Sequence, residues 1–319
     1  MDQANDASGD VTGLSLSEAA AQVAARDDRP DEETVRTVLA EVAFDRIVSE
    51  DRITELESDT SMAVSNAEGR AEFAAMRVDE VEEAATDAPD LETVSARLDA
   101  FDARADSIES RARDLADRLH DLVHRREYSD SVYEYVRDLR DLGTDADAAH
   151  GDAQRLATDA DEFERWLDSH ATRITGLSTD VAAIESTFDD LETAADRLAN
   201  PEAIGEDEPD PATQWFALTQ RQRVNELVVA DARVELADVR TWAERAGDDT
   251  TDLDDLGERL ADLELRREQF GDRLDDLARP DWREQYDEVI SAVDDTLAAF
   301  EPPVNFGAVQ AALDDLGPA

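Results

Sequence analysis

The sequence predicts an all-α protein, an elongated antiparallel coiled coil or helical bundle with a small N-terminal helical module, and three observations carry that expectation. Ala, Leu, Asp, Glu and Arg dominate a chain of 319 residues that holds only 12 Gly, 9 Pro and 5% aromatic residues. Apolar residues recur at alternating spacings of three and four, which line one edge of a helix. The prolines (Pro30, Pro89, Pro201, Pro209, Pro211, Pro280, Pro302, Pro303 and Pro318) all fall at the edges of those periodic segments. Proline breaks a helix internally but is tolerated in its first turn or beyond its end.

Residues 1–13 read as a disordered tail, and residues 14–88 as the N-terminal module. Ser15 and Glu18 have capping-box spacing and open a short Ala-rich helix reaching about Arg26. From Asp31, the residues Val35, Val38, Leu39 and Val42 share one helical face. A local break is expected at FDRIVSED, where Ser49 caps a new helix holding Ile53 and Leu56. A longer helix, about Ser61 to Thr86, then carries Val64, Phe73, Met76, Val78 and Val81.

Residues 90–199 read as long coiled-coil helices. A first seam runs from Leu91 to Leu122, and the phase slips at EYSD, around Tyr128 to Asp130. A second seam keeps one register from Val132 to Leu198 and includes Leu156, Leu167, His170, Ile174, Leu177, Val181, Ile184 and Leu191. One uninterrupted helix of that length would measure about 100 Å, and Gly143 and Gly151 mark its first third as the expected hinge. Residues 200–211 are polar and proline-rich and read as a linker.

Residues 212–301 form the expected C-terminal hairpin or bundle. The stripe on Ala212 to Ala246 is broad, which suits a multi-helix core better than a two-stranded zipper. Leu253, Leu256, Leu260, Leu263, Phe270, Leu274 and Leu277 continue at heptad spacing, with Arg267 in one slot, and a helix beyond Pro280 uses Trp282, Tyr286, Val289, Val293 and Phe300. Residues 302–319 are a tail with a short amphipathic helix. The helix lengths suggest a folding-back scheme in which neighbouring segments pack antiparallel, and an extended rod dimer competes with it.

The charge balance narrows the partners. There are 31 arginines, no lysine and 82 acidic residues, for a formal net charge of −51. Molar salt shortens the Debye length to about 3 Å and screens most of the self-repulsion, so the composition points to a halophilic, salt-accumulating cytoplasm. Nucleic acid and anionic lipid are electrostatically opposed because no basic stripe or polybasic run is present. No apolar run approaches the ~18 residues of a membrane span, and the start MDQANDASGD lacks the regions of a signal peptide. The absence of Cys excludes disulfides, thiolate catalysis and cysteine zinc sites.

The candidate chemistry is sparse. HDLVH places His120 and His124 four apart on one helical face, where they could share a metal ion, but Asp121 stands where a zinc protease needs Glu. The bland reading makes both polar-face residues beside Leu119 and Leu122. His170, in a seam position, is read as a register-setting polar residue rather than a ligand. Trp215, Trp242 and Trp282 read as core anchors, and Trp166 neighbours a seam position. No phosphate loop, nucleophile elbow or distinguished acid–base pair occurs, so no cofactor is expected.

The stretch VRTVLAEVAFDRIVSEDRI (Val35 to Ile53), followed by NAEGRAEFAAMRVDEV and RLDAFDARADSIESRARDL, resembles uncharacterised haloarchaeal proteins of the type labelled halo transducer protein, over roughly Asp31 to Leu115. That resemblance implies a signalling role and carries no functional residue onto this chain. The expected function is a non-enzymatic scaffold or protein–protein interaction protein, using a protein partner or self-association through helices. A cytoplasmic signalling or regulatory adaptor using the N-terminal module is the alternative, and a helical-bundle metalloprotein the second.

Overall fold

The computed structural model describes residues 10–25, 31–126, 131–200 and 209–316. These form an all-α fold: α1 (Leu16–Ala24), α2 (Glu32–Ala40), a hairpin of β1 (Ala43–Phe44) and β2 (Ile47–Val48), α3 (Glu50–Ala85), α4 (Glu92–Arg126), α5 (Val132–Asp168), α6 (His170–Leu198), α7 (Pro211–Ala246), α8 (Thr251–Leu277), α9 (Pro280–Leu297) and α10 (Phe306–Asp314). The EYSD phase slip and most of the 200–211 linker lie outside the described residues. The chain divides into two compact units: unit 1 takes residues up to Val81 with Phe101–Asp161, and unit 2 takes Glu82–Ala100 with Glu162–Ala319. All three boundaries fall inside helices, in α3, α4 and α5, whereas the sequence places them at prolines.

Unit 1 begins earlier than the expected end of the tail. Val11 is fully buried, and Gly13 donates its N–H to the Val48 carbonyl at 2.9 Å. Val48 N–H donates to the Leu14 carbonyl and Leu16 N–H to that of Arg46, so a turn at residues 11–14 leads into Ser15, which bridges Ile47 of β2. The expected disorder therefore fails for Val11 to Gly13, because the buried Val11 side chain and two backbone bonds, from Gly13 N–H to the Val48 carbonyl and from Leu14 N–H to the Val11 carbonyl, hold them. Ser15 and Glu18 close a full capping box on α1. The break at FDRIVSED is the hairpin, whose two turn residues, Asp45 (φ 49) and Arg46 (φ 65), both adopt the left-handed conformation that matches strand twist.

Beyond the hairpin, one helix replaces the two expected. α3 runs unbroken because no proline interrupts it, and Thr60 at the predicted join is buried with its hydroxyl directed to the Leu139 carbonyl. In unit 1, α3 runs parallel to α5: Tyr135 donates to Glu57 at 2.7 Å and Arg77 pairs with Asp161 at 2.6 Å. α4 runs antiparallel to α5 on an evenly spaced ladder. Arg104, Arg111 and Arg118, seven residues apart, pair with Asp159, Asp152 and Asp145 at 2.7, 2.9 and 2.9 Å.

Unit 2 repeats the device. α6 and α8 run parallel, with Arg259, Arg266 and Arg273 reaching Glu185, Glu192 and Asp196. α7 and α8 run antiparallel, joined by Arg233–Glu264 and Arg240–Asp254, each at 2.8 Å. Arg267, the charged slot in the leucine repeat, pairs with Glu226 at 2.7 Å. Pro211 and Pro280 both sit in first helical turns. Phe216 stacks on Tyr286 and Trp215 lies against Trp282, which docks α9 on α7, while the Trp215 indole donates to the Leu274 carbonyl at 3.0 Å.

The seam residues are placed as follows: Leu156 in unit 1 and Leu167, Leu177, Val181, Ile184 and Leu191 in unit 2 are buried, whereas Ile174 is only half-buried. The helix interruption falls at Ser169, not at Gly143 or Gly151. Both glycines sit inside α5, where an added Cβ would meet only ordinary contacts at 3.8 and 3.6 Å. Ser169 has extended backbone and its hydroxyl accepts from Thr172 N–H, so it caps a new helix.

Burying each large seam side chain stabilises by about 1.5–3 kcal/mol, against about 0–1 kcal/mol for each exposed ion pair. The apolar seam supplies the stability and the arginine ladder sets register. Leu177→Asp should therefore cost about 4 kcal/mol or more, and Arg111→Ala less than about 1 kcal/mol. Chemical denaturation in molar potassium chloride checks both, and equal losses would refute this division of labour.

Candidate functional site

His120 and His124 lie on the exposed side of α4 in unit 1, ring centroids 4.4 Å apart and edge to face. His124 joins Arg118, Asp121, Arg125, Asp138 and Asp141 around an open groove of about 610 Å3. His120 does not line it. Among the described residues, no group of three or more His, Asp or Glu side chains could hold a metal ion. The pair offers two imidazoles, fewer than the three or four protein ligands of a zinc site.

His170 is not a seam residue. It occupies the first turn of α6, with Nε2 3.0 Å from the Asp249 carbonyl and Nδ1 3.8 Å from the Asp248 carboxylate. The buried position passes instead to Arg173, 4% exposed, which donates to the Trp166 and Leu167 carbonyls at 3.0 and 2.8 Å. These carbonyls belong to the last turn of α5, where intrahelical partners run out. The Arg173 guanidinium also lies 3.9 Å from the Trp242 ring centroid, and Trp242 meets Trp166 edge to face. Burial pulls the Arg173 pKa down, partly offset by Asp248. Trp166 and Trp242 are thus walls of an arginine cage.

A second polar cluster of unit 2 gathers on Arg97 of α4. Arg97 pairs with Glu235 of α7 at 2.7 Å and lies over the Trp166 ring at 4.6 Å. Glu235 is 6% exposed. Burial raises its pKa; Arg97 opposes that shift, and Asp180 and Asp231 reinforce it. Asp231 is raised by burial and held back by the Val304 N–H, which donates to it at 2.8 Å. Asp180, at the solvent edge, is raised by burial and lowered by Arg97. One turn on from Glu235, Asp238 accepts from the Thr93 N–H at 2.7 Å. Three carboxyls thus share one guanidinium, which ties α4, α6, α7 and the segment before α10 together.

None of Arg97, Arg173, Asp180, Asp231 or Glu235 stands out in the sequence, because each belongs to the commonest residue types of the chain. The one available signal is Glu235, which falls inside the broad apolar stripe formed by Ala232, Leu236 and Val239. Comparison of the chain with protein-family models, with curated proteins and with solved structures finds no match.

Two predictions follow from these clusters. Arg173→Ala strands two helix-end carbonyls and should cost about 2–4 kcal/mol; a melting temperature within a degree of the parent would refute the cage. The raised carboxyls of Asp180, Asp231 and Glu235 take up protons in the folded chain before the unfolded chain does. Their cost is therefore present at neutral pH and is relieved as pH falls from their raised values toward the ordinary carboxylate range. Carboxyls held low by their hydrogen bonds, such as Asp210 and Glu264, act oppositely, and their contribution is lost further down. Glu235→Gln keeps an acceptor for Arg97 without the charge, so its gain in stability on mild acidification should be smaller than the parent's. Parallel melting curves against pH would exclude this linkage.

Proposed function

We propose that the chain is a non-enzymatic helical scaffold or protein–protein interaction protein of a halophilic cytoplasm. The observation that carries this reading is where apolar surface is left in solvent. Of the eight large exposed apolar residues among those described, Phe44, Ile47, Met62, Phe73 and Met76 lie within one stretch of unit 1. Single exposed apolar residues are ordinary, but neighbouring ones mark contact surfaces, and here Phe44 and Ile47 share the hairpin while Phe73 and Met76 are one turn apart on α3. In a surface dominated by carboxylates, they are the positions where a protein partner gains most from burial.

A signalling or regulatory adaptor reading is favoured by the hairpin itself. Phe44 and Ile47, 67% and 46% exposed, flank a turn held by backbone bonds to residues 13–16, so the tip is presented without an ordering cost. Next to it, α2 turns Glu32 and Glu33 outward, and its Arg36 is paired with Glu32. That face opposes a phosphate backbone and suits a protein. No helix among the described residues is long and apolar enough to cross a membrane.

Full-length protein immobilised in molar potassium chloride should retain partners that the double variant Phe44→Ser, Ile47→Ser loses, with the melting temperature unchanged. Retention of the same partners by the variant would remove the hairpin from the binding surface. Melting temperature should also rise with potassium chloride from dilute buffer to molar salt, as repulsion within a chain of net charge −51 is screened. A flat salt dependence would count against the halophilic assignment.

A further inference from the structure

α3 is apolar on two opposite edges. Val64, Ala67, Ala71, Ala74, Val78 and Val81 are buried in the chain itself. The opposite edge, formed by Met62, Asn66, Gly69, Phe73 and Met76, advances by four, three, four and three residues, which is the spacing of a coiled-coil seam. It faces solvent, with Met62 58%, Phe73 39% and Met76 47% exposed. Asp59 and Glu80 close it at the two ends.

The geometry points to a parallel, in-register two-stranded coiled coil formed by α3 of two copies of this chain. With Asn66 and Phe73 at a and Met62, Gly69 and Met76 at d, the e positions are Ala63, Arg70 and Arg77, and the g positions are Ser65, Glu72 and Asp79. Cations occupy one flank and anions the other. A two-fold axis along the helices sets each g residue beside the partner's e residue five positions on. Glu72 then meets the partner's Arg77, and Ser65 meets the partner's Arg70. An antiparallel pair would instead set e beside e and g beside g, crowding arginine on arginine and carboxylate on carboxylate.

Details of the seam agree with that partner. Asn at a single a position specifies two strands and one register, because the two amides pair across the axis. A Cβ added at Gly69 would meet nothing within 4 Å, so the chain's own packing does not call for glycine in this helix interior. Between Asn66 and Phe73 it lets two backbones approach closely. Arg70 lies over the Phe73 ring at 4.7 Å, and its buried Nε has no hydrogen-bond partner among the described residues. Arg77 is held at the flank by Glu80 and Asp161. Two chains of net charge −51 repel in dilute buffer, so association requires salt. The proposal deepens the scaffold reading by naming the partner for this face, and its test reads self-association alone, so the two fail separately.

Light scattering of the full chain in molar potassium chloride should report a dimer that dissociates on dilution. Because the chain has no cysteine, Met62→Cys and Met76→Cys should each cross-link to its own kind on mild oxidation, since parallel d positions face one another. Phe73→Asp should leave helicity and the monomer's melting temperature unchanged and raise the dissociation constant by about a hundredfold. Met76→Asp makes the same test at a second site, and Glu72→Arg should weaken association by about tenfold. The proposal is overturned by a monomer at every concentration, by cross-links that form only in a mixture of the two cysteine variants, or by a dimer whose dissociation constant neither aspartate variant changes.

Discussion

Cations are scarce in this protein, and the register of its helices depends on where they stand. With 31 arginines for 82 carboxylates, a guanidinium at a helix junction is surrounded by acceptors, whereas a misaligned helix meets carboxylates with carboxylates. The seven-residue step of Arg104, Arg111 and Arg118 against Asp159, Asp152 and Asp145 repeats in Arg259, Arg266 and Arg273 against α6. Each pair contributes little energy on its own. As a set they discriminate, because a slip of one or two residues breaks every rung and places like charges opposite one another. The bidentate Arg259–Glu185 and Arg233–Glu264 pairs add the planar geometry that a lysine could not supply.

Helix identity was largely legible in the sequence because the apolar period is long and strict. Leu253, Leu256, Leu260 and Leu263 are buried as their spacing implies, and Pro211 and Pro280 stand in first turns. What periodicity conveys poorly is interruption. The seam reads without a phase error from Val132 to Leu198, yet the helix stops at Ser169 and restarts one residue later. Glycine costs helix stability without forbidding the helix, so Gly143 and Gly151 misled, while a serine able to cap left no mark on the apolar pattern. The hairpin was equally hidden, since Ala43–Phe44 and Ile47–Val48 are too short for a period of two to register.

The polar clusters were illegible for another reason. A carboxylate among 82 carries almost no information by itself, and Glu235 differs from the rest only by lying among Ala232, Leu236 and Val239. Its environment is tertiary: Arg97 arrives from a helix more than a hundred residues earlier in the chain. Arg173 is recognisable only once Ser169 has been seen to end α5, because its role is to satisfy carbonyls that an unbroken helix would have satisfied itself. Buried ion clusters of this kind add little net stability against apolar replacements. What they add is exclusivity, since only one packing of α4, α6 and α7 leaves Arg97 and its carboxyls with partners.

The same scarcity governs what the outer surface can bind. A face of carboxylates offers a partner no apolar burial and repels most anions, and that pattern lapses at Phe44, Ile47 and the outer edge of α3. On α3 the lapse is incomplete, because Asn66 and Gly69 remove apolar area from the middle of the stripe. Leucine at both positions would bind more tightly and less selectively, and it would also expose an apolar band while the partner is absent. A short seam with a polar centre and oppositely charged flanks gives up affinity for orientation. Because repulsion between two such chains falls steeply as the Debye length contracts, the ionic strength of the surroundings would set how far the proposed pairing is expressed.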